Sequence, residues 1–289
     1  MFKNIIPFLF VLLWSTGFIG AKFGLPYASA GDFLSIRTFG NIAVFLLLIV
    51  IIKQPKLTFK QIMHAMVTGL LIHGAYLGGV FAAIENGIPA GLTAIIVGLQ
   101  PLFTAMLAIF IFKERISRAQ WLALILGLAG LLLVVSASLE LSNVSLYALF
   151  FAFIALIGIT FGTLYQKRFC QKQALLPSVC WQYIASLLVF LPLSLSNESQ
   201  PIIWSFEFIF SLAWLIIALS VVAILLLMYM VKQGDAAKVT AYFYLVPPAT
   251  AIEAWLLFDE QLATSSILGM VLCAVSVYVV NKRQKEGRL

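Results

Sequence analysis

Long runs of apolar residues, broken by short polar clusters, occupy the chain from end to end. A helix needs about 20 apolar residues to cross the ~30 Å hydrocarbon core of a bilayer. Ten stretches of that kind are present, at 4–22, 32–52, 61–84, 90–112, 119–137, 144–166, 176–195, 208–231, 237–258 and 263–281. Each is apolar on all sides rather than alternating, so the pattern predicts helices and not the strands of a barrel. The connections are short and leave no soluble domain of any size. Gly98, Pro101, Gly158, Gly162, Pro247 and Pro248 fall inside the runs, where neighbouring helices can satisfy the backbone groups they free. Gly20/Gly24, Gly74/Gly78 and Gly158/Gly162 have the spacing that lets two helices approach closely. Lys3, an apolar run and Ala28-Ser29-Ala30 have the outline of a cleaved signal segment. The run is too long for one, and Lys22 and Pro26 interrupt it, so the first stretch is expected to remain as a span.

Composition agrees with this pattern. Of 289 residues 63% are hydrophobic and 10% charged, and the mean hydropathy is +1.07. Soluble domains are about 45–50% apolar and roughly 25% charged, so soluble enzymes, nucleic-acid-binding domains and disordered chains are excluded. The net charge of +7 is distributed as membrane topology is. With the N-terminus inside, 16 of the 18 basic residues fall in cytoplasmic segments, from Lys3 to the tail that carries Lys282, Arg283, Lys285 and Arg288. The opposite loops hold Asp32, Glu85, Glu140, Glu198, Glu207, Asp259 and Glu260. Basic residues orient spans, so both termini are placed in the cytoplasm. The tail is then a topology anchor and a contact for anionic headgroups. Cys170, Cys180 and Cys273 have no CxxC spacing, and two histidines are too few for a metal centre. No cofactor is expected.

The segment 99–114 (LQPLFTAMLAIFIFKE) repeats at an offset of 146 as 245–260 (LVPPATAIEAWLLFDE), with seven of sixteen positions identical. Each half then contains five spans, and an odd number turns the second copy upside down in the membrane. The flanks agree, because Phe112-Lys113-Glu114-Arg115 carries basic residues and Phe258-Asp259-Glu260-Gln261 does not. Residues 1–138 and 143–282 are read as the two five-helix repeats and 283–289 as a basic cytoplasmic tail. The predicted fold is an all-α polytopic membrane protein of ten transmembrane helices in two inverted five-helix repeats. Inverted repeats are a signature of secondary transporters, whose site lies near the midplane between them.

Trp14-Ser15-Thr16-Gly17-Phe18-Ile19-Gly20-Ala21-Lys22, Arg37 in the next span, and the doubled element Pro101–Glu114 and Pro247–Glu260 resemble the EamA family of the drug/metabolite transporter superfamily. The resemblance spans essentially the whole chain and rests on the order of these motifs together. It implies ten helices in two inverted repeats, a central cavity opening alternately to each side, and export or exchange of small metabolites. The chain departs from the pattern at Ala123, where a glycine is expected, and at Asp259-Glu260, which replaces Gly-Glu.

Charged groups at membrane depth are costly and point to a cavity. Arg37, with Asn41 one turn deeper on the same face, has the geometry to hold a carboxylate or phosphate. The alternative is an arginine reaching the interface or paired with Asp32 or Glu85. Lys22, at the end of the first span, is a second cavity candidate or an interface anchor. His73 and Tyr76, three residues apart, present polar groups to one side. Gln100 adjoins Pro101, where a broken helix would free carbonyls. Trp14 and Tyr244 are the aromatic residues deep enough for a cavity, with Gln182 a marginal addition. Glu85, beside Asn86, and Glu253, whose repeat counterpart is Leu107, are the proton-coupling candidates. Glu114 and Glu260, at equivalent helix ends, read as scaffold.

The function expected is a secondary transporter, by resemblance an exporter or exchanger, for small zwitterionic or anionic metabolites such as amino acids. A lipid or drug flippase of the same fold, or a non-transporting scaffold, is the alternative. No P-loop supports primary pumping, and no loop supplies the polar cluster of a membrane enzyme. The chain is placed in the cell's inner (plasma) membrane. Its partners are the bilayer and a small-molecule substrate rather than nucleic acid, and a homodimer is left open.

Overall fold

The computed structural model describes residues 2–88, 93, 96–113, 116–136, 145–196, 201–233, 239, 241–258 and 264–286. Those residues are mostly helical, with no strand among them. The helices are α1 (Phe2–Gly24), α2 (Ala30–Ile52), α3 (Phe59–Glu85), α4 (Gln100–Phe112) and α5 (Arg118–Ser136). They continue as α6 (Leu146–Cys170), α7 (Leu175–Ser196), α8 (Phe206–Gln233), α9 (Val246–Phe258) and α10 (Thr264–Glu286). Among the described residues five of them, α2, α3, α6, α7 and α8, are long and apolar enough to cross a bilayer, and shorter apolar helices lie beside them. Large side chains such as Val50, Phe110, Leu122, Leu188, Ile217 and Leu256 are exposed. In water such a surface would aggregate; against acyl chains it is solvated, and the protein is a multi-pass membrane protein.

Local sequence explains where the helices start and stop. Thr58 and Gln61 close a capping box on α3, and Ser117 and Gln120 bond reciprocally at the start of α5. Ser29, Ser145 and Ser205 accept backbone N–H bonds at the starts of α2, α6 and α8. Lys53 and Lys113 end α2 and α4 in the left-handed region, at φ 51 and 56. Pro101 stands in the first turn of α4, where its missing N–H costs no bond. Pro247 and Pro248 likewise open α9, after a 3-10 turn at Tyr242–Leu245. Pro101, Pro247 and Pro248 therefore stand in first turns, whereas Pro7 and Pro192 lie inside α1 and α7.

The most extensive helix pairings map onto one another when five is added to each label. α5 packs on α10 and α2 on α7; α1 lies against α8 and α9 as α6 lies against α3 and α4; α2 meets α8 as α7 meets α3. A widened π segment interrupts α3 at Leu70–Leu77 and α8 at Leu215–Ala223, 145 to 146 residues apart. Such segments are rare and concentrate at functional sites. One core joins α1, α2, α3, α7 and α8, and a second joins α4, α5, α9 and α10. Glu114, Glu260 and the loops that hold Glu140 and Glu198 lie outside the described residues.

Glycine permits the closest contacts. A Cβ on Gly158 would stand 2.7 Å from the Leu71 carbonyl oxygen, and one on Gly69 would stand 2.2 Å from the Gln182 carbonyl oxygen. At Gly74 the nearest atom is 3.6 Å away, so its spacing with Gly78 reflects no comparably tight contact there. Gly69→Ala must push α3 off α7, an overpacking cost of about 1–3 kcal/mol. Its melting temperature in detergent is expected to fall by about 5 °C, whereas Gly74→Ala should stay near the parent. Equal melting temperatures for the two variants would refute the close approach of α3 and α7.

Candidate functional site

A pocket lies among α1, α2, α3, α7 and α8. Trp14, Gly17 and Phe18 of α1, Arg37 of α2, His73, Tyr76 and Phe81 of α3, Tyr183 of α7, and Leu219 and Ile224 of α8 line it. The π segments of α3 and α8 supply His73, Tyr76 and Leu219, so the two irregular stretches form facing parts of the wall.

Arg37 sits seven residues into α2, about 10 Å along its axis, and is 3% exposed. Its Nε and Nη2 donate to Ser220 Oγ at 3.1 and 2.9 Å. Its third nitrogen, Nη1, is buried and has no hydrogen-bond partner among the described residues. The expected alternative of a pair with Asp32 or Glu85 is therefore corrected: the guanidinium is held by a neutral hydroxyl. Asp32 instead accepts from Ser29 and Ser194. The reason is geometric, since Asp32 lies in the first turn of α2, more than one turn from Arg37, with its carboxylate taken by the two serine hydroxyls.

Tyr183 donates to the Ser220 carbonyl at 2.9 Å, an oxygen offset from the regular ladder by the π segment. It also stacks on His73, with centroids 4.3 Å apart. His73 Nε2 is buried without a partner among the described residues. Trp14 Nε1 donates to Tyr76 Oη at 3.1 Å, and the two rings lie nearly parallel. The Tyr76 hydroxyl is thus an acceptor that keeps its own proton for a further bond.

Of the residues singled out from the sequence, Trp14, Arg37, His73 and Tyr76 come together here. The others stand elsewhere. Asn41 is buried one turn beyond Arg37, its Oδ1 without a partner among the described residues. Gln100 donates to Thr163 across α4 and α6 at 3.5 Å. Tyr244 is buried in the second core, against Gly127. The side chain of Lys22 lies outside the described residues. Glu85 is exposed, and its carboxylate accepts the Ala30 N–H at 2.7 Å, capping α2. Glu253 of α9 accepts from Ser15 of α1 at 2.5 Å, one residue from Trp14 of the cavity lining.

Two residues of this hydrogen-bonded cluster escaped the sequence reading, Tyr183 and Ser220. Tyr183 had a signal, because it lies 146 residues after Arg37, the repeat offset. Ser220 had none: a lone serine in an apolar run is common, and only the packing of α8 on α2 gives it a role.

The fold and cavity define a multi-pass helical membrane protein of the transporter class. The profile of the EamA-like transporter family matches residues 1–136 and again 146–282, and the chain belongs to that family. It is 26% identical to a probable amino-acid metabolite efflux pump of Escherichia coli (strain K12), over 96% of this chain and 93% of that one. It is 25% identical to YvbV of Bacillus subtilis (strain 168), called an uncharacterized transporter, over 96% and 91%. The inner membrane transporter YedA of Escherichia coli (strain K12), also called uncharacterized, is 23% identical over 97% and 93%. A solved crystal structure 17% identical to the chain superposes with a TM-score of 0.77 over 96% of both chains, a likeness of fold.

Proposed function

We propose that this protein is a secondary transporter that moves small carboxylate-bearing metabolites across the inner (plasma) membrane by alternating access between two inverted five-helix repeats. The observation that carries the substrate reading is Arg37, a buried guanidinium on a cavity wall with one nitrogen unpartnered among the described residues. A buried charge held only by a neutral hydroxyl is costly, and an anion in the cavity offsets that cost. The efflux-pump name of one relative agrees in kind. The self-mapping pairings, the matched π segments and the equivalent prolines Pro101 and Pro247 at the starts of α4 and α9 support the repeat reading. Ten spans, repeats at 1–138 and 143–282 and both termini inside follow from it. Where protons drive the cycle, Glu253 carries them, since Ser15 links it to the helix that lines the cavity.

Counterflow in proteoliposomes tests the reading: preloaded unlabelled metabolite should accelerate uptake of its labelled form. Activity fusions after Lys60, Arg118, Lys172 and at the C-terminus should report the cytoplasm, and fusions in 196–206 the outside. An external C-terminus would overturn the inverted arrangement, because two odd halves give an even number of spans.

A further inference from the structure

Resting on the reading of the Arg37 cavity as the substrate site, we infer that the same site binds a single halide ion, chloride under cellular conditions, which a substrate carboxylate must displace. Charge is the first reason. Arg37 is buried, and among the described lining residues it is the one permanently charged group. No Asp or Glu stands among those residues; Asp32, Glu85 and Glu253 are bonded to other groups. A charge taken out of water without a counter-charge is costly. A water molecule can accept from Nη1 but leaves that charge uncompensated, whereas an anion both accepts and neutralises.

Size then selects the anion. The space open to water in the pocket is about 30 Å³, room for about one or two water molecules. A metabolite with a carbon skeleton enters only when the walls move apart; a monatomic anion, little larger than water, fits as they stand. The donors suit such an ion. Arg37 Nη1 is buried without a partner among the described residues. Tyr76 accepts from Trp14 and keeps its hydroxyl proton to give. His73 Nε2, likewise buried and unpartnered among the described residues, donates in the tautomer that carries the proton there. The guanidinium interacts electrostatically with both Tyr76 and His73, so the three lie close together. A halide has no preferred bonding directions and can accept from all of them. It occupies the contracted pocket and compensates Arg37 while the carrier returns without substrate; the metabolite occupies the widened one.

Thermal unfolding of the purified full-length protein tests this, at fixed ionic strength in sodium methanesulfonate, whose anion is too large for the contracted pocket. Replacing it with chloride or bromide should raise the melting temperature saturably, by about 3 °C at about tenfold the dissociation constant. Arg37→Gln should abolish that rise, and Tyr76→Phe should weaken halide binding about fivefold. L-alanine and propanoate serve as carboxylate probes. Chloride should raise the concentration at which each half-saturates the wild type, a competition that needs no variant to fold. Equal melting temperatures in chloride and methanesulfonate, a halide rise that persists in Arg37→Gln, or carboxylate binding indifferent to chloride would each overturn the inference. A carboxylate shift lost in Arg37→Gln would in those cases leave the substrate site standing. Carboxylate shifts absent from wild type, or unchanged in Arg37→Gln, would overturn the site and the inference together, since displacement needs both ligands on Arg37.

Discussion

Arg37→Ala will abolish transport of carboxylate-bearing metabolites while leaving the protein at its usual level in the membrane. Folding tolerates the change because the guanidinium has a neutral hydroxyl, not a carboxylate, as its partner; its removal strands no opposite charge. Binding does not tolerate it, because loss of one partner of a buried charged pair costs about 2–5 kcal/mol, roughly 30-fold to several thousand-fold in affinity. Arg37→Lys should recover little, since a point charge lacks the planar fork that reaches Ser220 and the ligand at once. Ser220→Ala loses only the hydroxyl that aims the fork and should weaken transport by about fivefold, an effect of ~1 kcal/mol. Labelled uptake into proteoliposomes, normalised to reconstituted protein, measures all three. Equal transport of a permanently cationic, carboxylate-free compound by wild type and Arg37→Ala would show that Arg37 is no substrate contact.

Glu253→Gln will keep substrate exchange and lose accumulation driven by a pH difference alone. The contact between α1 and α9 gives the reason. The Ser15 hydroxyl lies 2.9 Å from the Leu12 carbonyl and 2.5 Å from Glu253 Oε1, and it has one proton to give. With Glu253 ionised, that proton points to the carboxylate. With Glu253 protonated, the carboxyl donates to Ser15 and the hydroxyl turns back to Leu12. Protonation thus reverses the bond joining the two helices, and Trp14 of the cavity is the neighbouring residue in α1. Glutamine can take part in such bonds but carries no exchangeable charge. Glu85→Gln should retain pH-driven accumulation, because that carboxylate is exposed and caps α2. Accumulation by Glu253→Gln under a pure pH difference would remove Glu253 from the coupling path. A wild type indifferent to that difference would remove proton coupling altogether and leave efflux down the substrate gradient.

The apolar runs determined by themselves that the chain is helical and membrane-embedded, because a bilayer core accepts no unsatisfied backbone and so allows few structures. The doubled segments at 99–114 and 245–260 also pointed to the transporter class before any contact was known. Arg37, Trp14, His73 and Tyr76 stood out for a related reason: polar side chains in apolar runs are rare enough to be conspicuous. What each touches was decided only by tertiary structure. Ser220 became the partner of Arg37 through the packing of α8 on α2, a contact across 183 residues. Asp32 and Glu85, plausible partners by charge, were taken up near the start of α2, Asp32 by the Ser29 and Ser194 hydroxyls and Glu85 by the Ala30 N–H. Gln100 and Tyr244 shared the depth of the cavity residues but faced other neighbours, because hydropathy reports how deep a residue lies and not which way around the bundle it points.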